Sequence, residues 1–312
     1  MKLTADMLRA MARGTPKESN LRSVLVGLER FGDTVGINQP HRMAQYLAQI
    51  LHESASFRYD REIWGPTPAQ RRYEGRRDLG NTQKGDGARF KGRSAIQLTG
   101  RANYRTFTQW AKSIDASAPD FEANPDAVNT DPWEGLAPLW FWHTNNLNRY
   151  ADRGDIEMVT RRINGGYNGL NDRIEYYSRA ALVLLGFKPD DVREFQKAKG
   201  LTVDGIAGPR TRAAMHKALV SLSGPVPFGM SAPVTEIGVP DDVDRAVEHR
   251  TGRASMAIGM IGAGSSAASA LMGVEWQTIV VLAVTAIVIM GIVLVLRKQI
   301  VNAINDIRKG LE

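Results

Sequence analysis

The side chain best placed to do chemistry is the carboxylate of Glu53, in the run His52-Glu53-Ser54. Met43, Leu47, Ile50 and Leu51 recur at i, i+4, i+7 and i+8, the spacing of an amphipathic helix. On that helix Tyr46 and Gln49 share the face of Glu53, so the carboxylate is expected on the side away from the core. It also falls at the helix C-terminus, just before Ser54-Ala55-Ser56. Partial negative charge there disfavours an ionised carboxylate, and a carboxyl that keeps its proton near neutrality can act as a general acid. His52 reads as a packed or hydrogen-bonding neighbour that orients it. Taken alone, a glutamate on a helix is most often solvated surface, so the surrounding elements have to decide.

Composition removes several chemistries. None of the 312 residues is a cysteine, which excludes disulfides, thiolate metal sites and cysteine nucleophiles; no metal or cofactor is expected. The first twenty residues lack an uninterrupted apolar run, so no cleavable signal peptide is expected. The net charge of +7 is unevenly spread: positions 58–105 hold twelve Lys or Arg against five Asp or Glu. Such a patch suits a polyanionic partner, whether nucleic acid, anionic lipid or a bacterial wall, and a solvated basic surface is the plainer reading; the motifs, not the charge, set nucleic acid aside.

The chain divides by pattern. Residues 1–186 read as helices joined by polar loops, with further helices over 136–147 and 174–185 and little period-two alternation, so this domain is mainly α. Residues 65–100 are rich in Gly, Arg and Asp and show no period, as functional loops often do. Residues 187–220 form a second, small unit, 221–253 a linker, and 254–273 a helix of small residues or a weak membrane segment. The nineteen residues 278–296, with Thr278 at one end and Leu296 at the other, carry no charge. That length spans a bilayer, with Trp276 at the interface, within a transmembrane helix over 274–298 and a basic tail over 299–312. Arg297, Lys298, Arg308 and Lys309 favour a cytoplasmic C-terminus, whereas Arg245, Arg250 and Arg253 argue the same for the other side; a hairpin through 254–273 satisfies both.

Four ordered motifs then carry a resemblance over roughly residues 40–186. His52-Glu53-Ser54, the segment from Gly85-Asp86-Gly87 to Gly92-Arg93, the run Ile96-Gln97-Leu98-Thr99-Gly100-Arg101-Ala102-Asn103-Tyr104, and Ile163-Asn164-Gly165-Gly166 together resemble the family 19 glycoside hydrolases, the plant-type chitinases and related phage and bacterial endolysins. The resemblance implies a lysozyme-like, two-lobed α fold around a sugar cleft and an inverting mechanism, in which an acid and a base stand on opposite faces of the sugar. It makes Glu53 the acid and Thr99 the hydroxyl that holds the attacking water. For the base it offers Glu62, nine residues on as in the endolysins, with Glu74, nearer the plant spacing, as the alternative; Glu74 otherwise suits an Arg partner in the basic patch. Gln97, Asn103, Tyr104, Asn164 and Arg173 fall where the family binds sugar, although Asn164-Gly165-Gly166 also suits a tight turn. One departure is Ser94, where the family usually has glycine.

The small unit, with Val192 to Gln196, Gly200-Leu201, Asp204-Gly205 and Gly208-Pro209-Arg210-Thr211, resembles the three-helix peptidoglycan-binding domain of wall hydrolases, with Thr211 as a cap for its last helix. The combined expectation is a peptidoglycan-cleaving endolysin from a phage or phage-derived element, tethered to the bacterial inner membrane. A chitinase, a non-catalytic wall tether and a holin-like membrane protein are the alternatives.

Overall fold

Between Trp133 and Trp142 every residue is buried, because a helix apolar all round has no face to give to water. This helix is the centre of a computed structural model that describes residues 2–223. In chain order its helices are α1 (Ala5–Met11), α2 (Glu18–Phe31), α3 (Pro40–Glu53), α4 (Pro68–Arg71), α5 (Asp86–Arg89) and α6 (Arg101–Ile114), followed by α7 (Trp133–Thr144), α8 (Asn148–Ala151), α9 (Ile156–Asn164), α10 (Leu170–Leu184), α11 (Val192–Ala198) and α12 (Pro209–Ser221). Among the described residues there is no strand, only the isolated bridges Arg61 to Arg93 and Arg93 to Leu98. The domain is mainly α, as the periodicity predicts.

Two helix pairs make the frame. α2 crosses α7 at Gly27 and Gly135, where a Cβ on Gly135 would lie 2.0 Å from the Ser23 carbonyl oxygen; the two backbones touch because neither residue has a side chain. α10 lies along α3. Met43, Leu47, Ile50 and Leu51 are buried as expected, but so are Tyr46 and Gln49, which corrects the expected solvent-facing side of α3. The polar types at these positions concealed a second covered face: Tyr46 packs edge-on against Trp142 at 5.5 Å, and α10 covers Gln49.

The aperiodic stretch 65–100 folds as short pieces: α4, a 3₁₀ turn at Arg77–Leu79, and α5. Its own apolar cluster is Tyr73 and Leu79 with Trp64, separate from the main core.

The small unit differs from expectation. Within 187–220 there are two helices, α11 and α12, not three. Phe195, Met215 and Leu219 are fully buried in the same cluster as α3 and α10, and α12 packs on both of those helices. Some thirty residues cannot bury a core alone, so the catalytic-side helices supply the missing wall. Thr211 is not the cap either. Gly208 and Pro209 open α12, while the Thr211 hydroxyl accepts from Gln196 Nε2 (3.1 Å). That same nitrogen donates to Asp204 (2.7 Å), and Gln196 Oε1 accepts from Gly205 N (2.8 Å), so one buried amide ties the Asp204-Gly205 turn to both helices.

The predicted span 278–296, the small-residue segment 254–273 and the basic tail lie outside the described residues. Among the described residues no helix is long and apolar enough to cross a membrane.

A shared core predicts shared unfolding. Met215→Ala should cost about 2–5 kcal/mol and lower one cooperative transition of the 2–223 region in calorimetry. Two transitions, with only the smaller one shifted, would show that the units fold separately.

Candidate active site

α3 delivers Glu53 as its last helical residue, and α10 meets it with Arg173. Arg173 is 1% exposed; its guanidinium donates to Glu53 Oε1 (2.5 Å) and to Gln49 Oε1 (2.5 Å). Arg173, expected to bind sugar, thus spends its charge inside the protein, on Glu53 and Gln49. His52, one residue before, bonds through Nδ1 to Asp172 (2.5 Å), and Asp172 also pairs with Arg13. Burial works against the Asp172 charge, but the His52 and Arg13 hydrogen bonds outweigh it and hold the carboxyl below its ordinary range. His52 is packed so closely on Gly169 that a Cβ there would lie 2.4 Å from the ring.

The chain leaves α3 through three successive left-handed residues, Ala55, Ser56 and Phe57 (φ +49°, +63° and +62°). Such backbone persists only where the surroundings over-determine it. Here Ser54 Oγ accepts from Phe57 N (2.8 Å), and Ser56 Oγ meets Tyr176 Oη (2.7 Å) and accepts from Arg13 N (2.9 Å). The turn aims the chain away from α3 toward Glu62.

Glu62 stands on a different wall. Its side is 8% exposed; Oε1 accepts from Gln70 Nε2 (2.9 Å), Oε2 from Gly92 N (3.2 Å), and its own N donates to the Gly92 carbonyl (2.8 Å). Gly92 is also where Gln97 and Thr99 converge, since a Cβ on it would lie 2.5 Å from Gln97 Oε1 and 3.3 Å from Thr99 Oγ1. The Thr99 hydroxyl donates to the Gln97 carbonyl (2.7 Å). The structure therefore brings Glu62, Gln97 and Thr99 together around one glycine, with Glu53 held separately by Arg173.

The other predicted residues have structural partners. Glu74 takes no arginine: its oxygens accept from Gly85 N (2.6 Å) and Gly87 N (2.9 Å) at the start of α5. Tyr104 is 0% exposed, and its hydroxyl accepts from Arg93 and donates to the Lys91 carbonyl (both 2.7 Å). It therefore supports the 91–93 loop rather than reaching a ligand, because α6 turns it inward. Asn103 Nδ2 donates to the Thr99 carbonyl (2.8 Å). Asn164 closes the end of α9, its Nδ2 donating to the Asn168 carbonyl (3.2 Å), which is the tight-turn reading. Ser94 has φ +60°, the left-handed conformation that favours glycine, and this accounts for the residue expected there.

The basic patch is partly consumed from within. Arg76 pairs with Asp78, Arg101 with Asp86, Arg105 with Glu122 and Arg93 with Asp126. Arg72, Arg77 and Lys84 remain exposed, with no ion pair among the described residues. Sequence reasoning missed Gln49, Gln70 and Glu134. Gln70 had a signal, since Thr67-Pro68-Ala69-Gln70 is a capping box, and Gln49 had one in sharing the helical face of Glu53; Glu134 had none.

A family model for a peptidoglycan binding domain matches residues 190–215. A Haemophilus influenzae glycosyl hydrolase family 19 domain-containing protein is 38% identical over 169 residues, 46% of this chain and 79% of that protein. An endochitinase of Arabidopsis thaliana is 30% identical over 145 residues, 46% of this chain and 47% of that one. The solved chitinase C of Streptomyces griseus, 20% identical, aligns with 60% of this chain and 77% of its own at a TM-score of 0.42. The chain belongs to glycoside hydrolase family 19. It is a glycosidase that carries a peptidoglycan-binding domain.

Asp60, Arg61, Asn129 and Glu134 help line a cavity of about 600 Å³. Burial pushes the Glu134 carboxyl up to about 7, and the nearby Asp60 charge adds to this. A raised carboxyl binds its proton more tightly when folded, so its stabilisation is complete below the unfolded value near 4 and is lost as pH rises through about 7. Glu134→Gln should abolish that decline, worth about 2–3 kcal/mol between pH 5 and 8. Urea melts of the two proteins across this range measure it; parallel pH dependences would refute the assignment.

Proposed function

We propose that this chain is an endolysin-type enzyme of phage origin that cleaves β-1,4 bonds of bacterial peptidoglycan with inversion. Its tether is the bilayer span 278–296 in the inner membrane, from which it acts on the wall. The observation that carries this reading is the merging of a family 19 domain with a peptidoglycan-binding domain in one hydrophobic core. The exposed cations Arg72, Arg77 and Lys84 support an anionic polymer as substrate.

In this reading Glu53 is the general acid. Arg173 occupies only its Oε1, which leaves Oε2 for the proton and the leaving oxygen. Glu62 is the general base. The Thr99 hydroxyl donates its one hydrogen bond to the Gln97 carbonyl, so toward the cleft it offers lone pairs. A water that donates one hydrogen to Thr99 and the other to Glu62 keeps a lone pair for the anomeric carbon. As that C–O bond forms, Glu62 takes the water proton, the glycosidic bond breaks and Glu53 protonates the departing oxygen. Separate supports for Glu53 and Glu62 suit inversion, which needs room for that water.

Chitin is the second reading, favoured by the endochitinase relative. The purified full-length chain should solubilise isolated sacculi faster than chitin, with new reducing ends identified by mass spectrometry. Glu53→Gln should lose about 10²–10⁴-fold in turnover, the usual contribution of a general acid. Undiminished lysis by that variant would remove Glu53 from the mechanism, and faster turnover of chitin oligomers would replace the substrate.

A further inference from the structure

Every hydrogen-bonding site on the Gln70 side-chain amide is committed. The residue sits on α4 and is 5% exposed. Nε2 donates to Glu62 Oε1 (2.9 Å) and to the Ile63 carbonyl (2.8 Å). Oε1 accepts from Thr67 N (2.8 Å) and Gly65 N (3.1 Å). The Gln70 backbone N–H in turn donates to Thr67 Oγ1 (3.3 Å), completing a capping box.

This arrangement fixes which way the amide points. With two backbone N–H groups facing Oε1, a flipped amide would set donors against donors and its oxygen against the Glu62 carboxylate. The helix cap therefore forces an N–H toward Glu62. The other Glu62 oxygen is held by Gly92 N (3.2 Å), on the loop that carries Thr99. One carboxylate is thus stretched between two loops, and Gln70 holds the end away from the water site. Tyr73 packs on the same side: burial pushes its hydroxyl up, and the Glu62 charge adds to this.

We propose that Gln70 is a positioning residue for the base: it sets the Glu62 rotamer so that the other oxygen faces the water held by Thr99. The inference rests on Glu62 being that base. It assigns the capping box of α4 a role in catalysis as well as in the helix start.

Gln70→Glu separates the two roles. Glutamate serves in a capping box as well as glutamine, so the α4 start survives, but the donor to Glu62 is replaced by a second carboxylate. Two carboxylates in contact share a proton and raise the apparent pKa of the pair. With soluble peptidoglycan chains and chitin oligosaccharides as parallel substrates, the full-length Gln70→Glu protein should lose about tenfold or more in kcat, a fraction of a general base's contribution. KM should stay within about twofold, as for an interaction made only in the transition state. The acid limb of its pH–rate profile should move to higher pH. Glu62→Gln, measured alongside, tests the underlying assignment. If Glu62→Gln is fully active, Glu62 is not the base and the reading beneath the proposal fails. If Glu62→Gln is inactive while Gln70→Glu keeps the wild-type kcat and acid limb, the positioning role alone is wrong. A fall in kcat with an unmoved acid limb and a lowered melting temperature would likewise overturn it, leaving Gln70 a purely structural cap.

Discussion

The buried guanidinium of Arg173 is the constraint around which α3 and α10 are arranged. An arginine cannot give up its proton, and buried N–H donors left without acceptors are costly. Arg173 therefore demands oxygen acceptors in fixed places, and α3 supplies two, on Glu53 and Gln49, one helical turn apart. For the three to meet, α10 must lie along α3 at one rotation and one register. The same pair of helices is tied again around the end of α3, where His52 meets Asp172 within the helix and Ser56 meets Tyr176 just beyond it. The left-handed run 55–57 is held by these bonds, so the exit of the chain toward Glu62 depends on the same packing.

The surroundings of Glu62 obey a different logic. No long helix carries Glu62, Gln97 or Thr99. Their positions come from loops stapled by side-chain to backbone bonds: Glu74 on Gly85 and Gly87, Asn103 on Thr99, Tyr104 on Lys91. Such loops need glycine where side chains must approach the backbone, which is the case at Gly87 and Gly92. With Glu53 on a helix and Glu62 on stapled loops, the two carboxylates are independently supported.

What could be read in the sequence follows from this contrast. The helical class and the gathering of motif residues were legible: α3 by its period, and the meeting of Gln97 and Thr99 at Gly92 by their place in ordered motifs. Side-chain direction was less so. Tyr46 and Gln49 looked solvent-facing because periodicity ranks faces by residue type, and a polar face covered by another helix has the same signature as a wet one. Tyr104 sits inside its motif, and Arg173 beyond the last one, yet both are buried, since sequence order places a cluster without saying which way each member points. Glu74 reads as a partner for arginine by local charge, whereas the start of α5 offers it two backbone donors that no charge count reveals. Glu134 lies in the most apolar helix of the domain, where only the folded neighbours Asp60 and Asn129 give it meaning.

The same reasoning explains the small unit. A flexible linker would let a binding module search a large volume, and the gain in effective concentration falls as the linker lengthens. Here no linker separates α10 from α11 beyond the residues between Leu184 and Val192. Phe195, Met215 and Leu219 close the core that α3 and α10 open. Two helices of this size have too little interior to fold unaided, so the domain match at 190–215 marks half of a structural unit whose other half is the helix pair that holds Glu53. Its surface is consequently fixed relative to Glu53 by the same packing that orders Arg173.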